Sequence, residues 1–201
     1  FLPLAKIEKE HQISYLSDWS KRILASGLKN IVKSIVLEKE YICKDYRNLY
    51  SNFYSKKFNS RNNIASRLHF FSETIDKNNP LAIDLQSIQK NYIGYSVIRN
   101  IEERAIGRTV LDPKKLSMDP ENDCYLLSTP FQVSINGAQL QVKGFPYTSQ
   151  DTEVTVCAHS ALWGVCRYLS ERYNTYAEIY PFDLVNMTTY SKGRTFPYRD
   201  M

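Results

Sequence analysis

Apolar positions in the first third of the chain recur at helical intervals. Ile13, Leu16, Trp19 (or Ser20), Ile23 and Leu24 share one face, with Lys21 and Arg22 opposite and Gly27 as a stop, so an amphipathic helix is expected there. A second run carries Leu28, Ile31, Val32, Ile35, Val36, Tyr41, Ile42, Tyr46, Leu49, Tyr50, Phe53 and Tyr54. No Gly or Pro interrupts it before Phe58, which predicts one long helix or two joined by a kink. Residues 59–63 (NSRNN) end the pattern with turn formers. Strand texture follows in residues 67–72 (RLHFFS) and 92–99 (YIGYSVIR), with residues 107–111 (GRTVL) expected to pair with the latter. Phe131, Val133 and Ile135 alternate with polar neighbours, Asn136-Gly137 follows, and Leu140 and Val142 alternate again. Asn-Gly between alternating runs predicts a β-hairpin with a type I′ turn. Residues 156–173 (VCAHSALWGVCRYLSERY) return to helix. The expected buried stripe is Ala158, Ala161, Leu162, Val165, Tyr168 and Leu169, with Arg167, Ser170, Glu171 and Arg172 solvated and Thr155 as the N-terminal cap. The fold class expected is α+β. A basic helical region over residues 1–66 precedes a mixed region over 67–201 with a hairpin and a central helix.

Composition bounds the function classes. The chain has 201 residues, 43% hydrophobic and 23% charged, which is globular and ample for a core without disulfide or metal staples. No stretch reaches the length of apolar sequence that a membrane span needs. Four cysteines (Cys43, Cys124, Cys157, Cys166) form no CxxC pair and meet only three histidines, so neither a disulfide framework nor a zinc site is expected. No secretory signal pattern is visible, and the cytoplasm is the expected compartment. The chain opens on Phe1, so processing or a longer parent is expected.

The net charge of +5 is uneven. Residues 1–66 hold 12 Lys+Arg against 6 Asp+Glu, and the remainder is nearly neutral. Lys29, Lys33, Lys39, Lys44, Arg47, Lys56, Lys57 and Arg61 interleave with Tyr41, Tyr46, Tyr50 and Tyr54, a pattern that invites single-stranded nucleic acid. Glu38, Glu40 and Asp45 interrupt it, and tyrosines facing a core with lysines in solvent is the preferred reading.

Cys157 concentrates the chemical interest, because it stands where residues 147–155 (YTSQDTEVT) meet the helix. A thiol in the first turn of a helix feels the positive end of the dipole and unpaired N–H groups, both of which favour a nucleophilic thiolate. Cys43, Cys124 and Cys166 are expected to be packing residues. His159 is two residues along, about 200° around the helix, so it points away from the sulfur. His69 lies in an aromatic strand where packing is the expected role, and His11 lies in the basic region.

GFPYTSQD followed by CAHSALW resembles the papain-like cysteine peptidase superfamily, in bacterial branches near the bacteriocin-processing peptidases. The strands YIGYSVIR and IGRTVL add to the resemblance, which covers roughly residues 92–201. It implies a papain-like fold, Cys157 as nucleophile, Gln150 as an oxyanion-hole donor, a peptide or protein substrate, no cofactor, and a catalytic His on a later strand. Gln150 stands seven positions before Cys157 where six is usual, and no histidine follows His159. The base is therefore expected beyond Met201, with this chain the front portion of a thiol hydrolase. The alternative is a non-catalytic papain-like binding or regulatory protein whose basic part engages an acidic partner or nucleic acid.

Overall fold

The computed structural model describes residues 28, 31–58, 61–75, 85–101, 104–116, 126–151 and 153–188. The helix expected from Ile13 and the histidine His11 lie outside them. The chain has the expected α+β character, but its first described element corrects the expected long helix. Ser34–Tyr41 is strand β1, and within the described stretch 31–58 the α-helix is confined to α1, Lys44–Asn52. The intervals of three and four that suggest a helix over 31–42 come from a strand with apolar residues on both faces. Ile35 and Leu37 pack against one core cluster and Val36 and Tyr41 against the other, and β-branched residues suit such a strand.

β1 pairs antiparallel with β2 (Ala65–Phe71), β2 with β3 (Tyr92–Ile98), and β3 with β4 (Ile106–Leu111), giving a sheet in sequential order. A short helix, α2 (Leu85–Asn91), leads directly into β3, and a single turn, α3 (Pro113–Leu116), follows β4. One sheet face carries Leu68, Phe70, Ile93, Ile98 and Ile106. The other carries Tyr95, Val97 and Val110, against Tyr46 and Leu49 of α1 and Tyr54 of the turn after it.

The hairpin is as the Asn-Gly signal predicts. β5 (Thr129–Ile135) and β6 (Ala138–Gly144) pair with Ile135 opposite Ala138, and Asn136 and Gly137 both take positive φ, 46° and 87°. Phe131, Val133, Leu140 and Val142 are buried in the same cluster as Tyr46 and Leu49, while Gln132, Ser134, Gln139 and Gln141 avoid the core. After β6 the chain turns beside β4, where Thr109 and Tyr147 exchange backbone hydrogen bonds of 2.8 and 2.9 Å. That bridge fixes the start of the loop leading to α4 (Cys157–Arg172), and α5 (Pro181–Thr188) then packs beside α4 and α1.

α4 forms where expected but is rotated. Leu162 and Val165 are each 47% exposed, and Ala158 and Ala161 are exposed too, whereas Trp163 is 1% and Arg167 8% exposed. Of the expected stripe only Tyr168 is fully buried. The face turned inward is His159, Trp163, Gly164, Arg167 and Tyr168. Gly164 permits the approach, since a Cβ there would stand 3.1 Å from the Pro146 carbonyl oxygen and 3.3 Å from the Phe145 ring.

Candidate active site

Cys157 is exposed at the first position of the 16-residue helix α4, so its sulfur is presented where the sequence expects it. Asp151 holds the preceding loop. Its Oδ1 accepts from the backbone N–H groups of Glu153, Val154 and Thr155 at 3.1, 2.6 and 2.9 Å, and its Oδ2 accepts from the Tyr54 hydroxyl at 3.0 Å. Asp151 is only 2% exposed, and a buried carboxylate must be hydrogen-bonded in this way. Glu153 adds ion pairs to Lys57 and Arg61, so residues just after α1 anchor the loop a second time.

Thr155 does not cap α4. Its hydroxyl oxygen accepts the N–H of Asp151 at 2.9 Å, closing the loop on itself. The capping position belongs to Val156, which has no side-chain oxygen, and His159 Nδ1 instead accepts the Val156 N–H at 3.2 Å. Cys157 opens α4, so its sulfur stands at the positive end of the helix dipole.

The two described imidazoles are elsewhere. His159 is buried on the opposite side of the helix from Cys157, and burial lowers its pKa, opposed by the charge of Asp151. His69 is fully buried on β2. Its Nδ1 meets the Tyr92 hydroxyl at 3.0 Å and its Nε2 meets Glu38 at 3.3 Å, which suits a neutral ring carrying its proton on Nε2. Burial is the main cause that lowers the His69 pKa, and Glu38 opposes it. Gln150 is half-buried in the loop, and no hydrogen bond joins its side chain to Cys157 among the described residues. The structure thus brings Cys157 and the Gln150 loop to one end of α4 without closing a catalytic pair.

Cys43 makes a useful contrast. It too stands at a helix start, immediately before α1, but burial and then the charge of Asp45 push its thiol up to about 11. A helix N-terminus alone does not activate a buried thiol. Cys166 is half-buried on α4, and Cys124 lies outside the described residues.

Two features under α4 escape a sequence reading. Arg108 grips Asp45 Oδ2 through Nε at 2.8 Å and Nη2 at 2.6 Å, and reaches Glu178 at 3.5 Å; Arg167 pairs with Glu178 and Glu171. Arg108 also stacks over the Trp163 ring at 5.9 Å. Burial opposes the charge on Arg108, yet Asp45 outweighs it and holds the guanidinium protonated, while burial and then Arg108 lower the Arg167 pKa. The second feature is the Asp151 hub, and the Asp-x-x-x-Thr spacing before an apolar-rich helix is the one signal that points to it.

Tyr46 and Tyr54 are buried, so they are not available to stack on nucleic-acid bases. Among the described residues no cluster of three or more His, Cys, Asp or Glu is placed to hold a metal, and no helix is long and apolar enough to cross a membrane. Comparison of the chain with protein-family models, with curated proteins and with solved structures finds no match in any of the three.

Proposed function

We propose that the chain carries the nucleophile-bearing part of a papain-like thiol hydrolase that acts on a peptide or amide bond. The observation behind this reading is the exposed Cys157 sulfur at the head of α4, on a loop locked by Asp151. In the proposed reaction the sulfur attacks the carbonyl carbon and forms a C–S bond, and first-turn N–H groups of α4 receive the developing oxyanion. The C–N bond then breaks, an imidazolium protonates the leaving amine, and water later hydrolyses the thioester. The imidazole comes from outside the described residues, because His69 and His159 are held on other faces. Gln150 is kept as a second oxyanion donor that swings toward the sulfur when substrate binds.

The same separation of Cys157 from both described imidazoles favours a second reading, a non-catalytic papain-like binding or regulatory protein. Alkylation by iodoacetamide at pH 7 separates the two. The hydrolase reading expects native Cys157 to react about tenfold faster than it does in the urea-unfolded chain. Equal or slower reaction of an exposed native thiol would leave the non-catalytic reading in place.

A further inference from the structure

Beneath the first turn of α4 lies a partly open cavity of about 10 Å³, the size of one atom-sized occupant. Three residues of its wall, Arg99, Ser160 and Trp163, each carry a buried polar atom without a partner: Nε, Oγ and Nε1 respectively. Two of these atoms are obligate donors and the third, a hydroxyl, can donate. Arg99 follows β3 and is 3% exposed. Its Nη2 donates only to neutral acceptors: the carbonyls of Arg104, Ile106 and Ser149 at 2.9, 3.2 and 3.0 Å, and Ser149 Oγ at 3.0 Å. No carboxylate among the described residues forms an ion pair with it. Asp151, in the same loop as Ser149, spends its oxygens on three backbone N–H groups and Tyr54.

We propose that this cavity binds a single monoatomic anion of chloride size, held by Arg99 Nε, Trp163 Nε1 and Ser160 Oγ. Three converging donors match an occupant that only accepts. Asp151 is the nearby carboxylate and its charge reaches the cavity wall at His159, but its oxygens are committed to other donors. The buried Arg99 Nε therefore still needs an acceptor, and an anion meets the three donors with no protons of its own to place. The N-terminal turn of α4, which supplies His159 and Ser160 to the wall, adds positive potential of the same sign. Thr155 also lines the wall, and its Oγ1 accepts from the Asp151 N–H, so its own proton is a further donor.

The test uses the full chain and halide as the probe. Thermal unfolding is followed in sodium chloride and in sodium gluconate at equal ionic strength, and a bromide-soaked crystal is examined for anomalous scattering. The proposal expects a saturable rise in midpoint of about 3–5 °C in chloride over gluconate, and a bromide peak between Arg99 and Trp163. Trp163→Phe keeps the ring's packing and Ser160→Ala is a small change at a half-buried site; each reduces the halide effect by half or more. Equal midpoints in the two salts, a halide effect unchanged in Ser160→Ala, or an ordered water without anomalous signal overturns it.

Discussion

The Tyr54 hydroxyl donates to Asp151 Oδ2 at 3.0 Å across 97 residues of chain, and so ties the turn after α1 to the loop that delivers Cys157. Burial, followed by the Asp151 charge, pushes the Tyr54 phenol far above its ordinary range, so the proton stays on tyrosine and the bond keeps one direction. The position of the thiol therefore depends on residues from the first third of the sequence as well as on its own helix.

Asp151→Ala removes the acceptor of three backbone donors and of Tyr54. It is expected to lower unfolding stability by about 3 kcal/mol in urea titration. Tyr54→Phe leaves the backbone donors satisfied and is expected to cost about 1–2 kcal/mol. Combining the two is expected to be less than additive, since both act on one bond.

The rotation of α4 reverses the mutational profile that its apolar pattern predicts. Leu162→Ser and Val165→Ser fall on the exposed face and are expected to change stability by no more than about 0.5 kcal/mol. Trp163→Ala opens a cavity and is expected to cost about 3–5 kcal/mol. Arg167→Ala takes a buried guanidinium from Glu171 and Glu178 but leaves Glu178 to Arg108 and Lys44, and is expected to cost about 1–2 kcal/mol, although an arginine at that position reads as solvated. Urea midpoints for the set decide between the two faces.

What was legible and what was not follows from where the deciding partners lie. The β5–β6 hairpin is written locally, because Asn136-Gly137 demands positive φ and the flanking alternation sets the register. β3, β4 and the span of α4 are also local patterns of the right length. β1 was not legible as a strand, since a run apolar on both faces mimics helical spacing over ten residues. The facing of α4 was hidden for a different reason. Its inward side meets Glu178 just past its end and Arg108 from β4, which is itself held by Asp45, and no window around residues 157–172 contains Arg108 or Asp45. The place of Cys157 at the head of α4 was legible from the helical pattern that follows it, whereas Asp151 acts through backbone N–H groups that leave little sequence signature.

His69 and His159 both have pKa values lowered from the ordinary 6.5 by burial. The unfolded chain therefore binds more protons than the native one once pH falls below about 6.5. Stability is expected to be full above that pH and to decline as pH falls through the native values. His69→Gln removes part of the slope. Burial raises the Glu38 pKa, but His69 and Arg67 together outweigh it and lower it, which adds a further loss that begins below about 4.5. Urea titrations from pH 7.5 to 2.5 measure both steps. A flat profile between 7 and 5.5 contradicts the assignment of buried, neutral imidazoles.

Acyl transfer to Cys157 tests the central claim most directly. The full chain is mixed with p-nitrophenyl acetate at pH 7, nitrophenolate release is followed, and the acetylated residue is located by mass spectrometry against Cys157→Ala. The account predicts rapid release of about one equivalent of nitrophenolate, with acetyl on Cys157, slow loss of that acetyl group and no burst in the variant. Acetylation no faster than in the unfolded chain, or a burst that survives in Cys157→Ala, contradicts it.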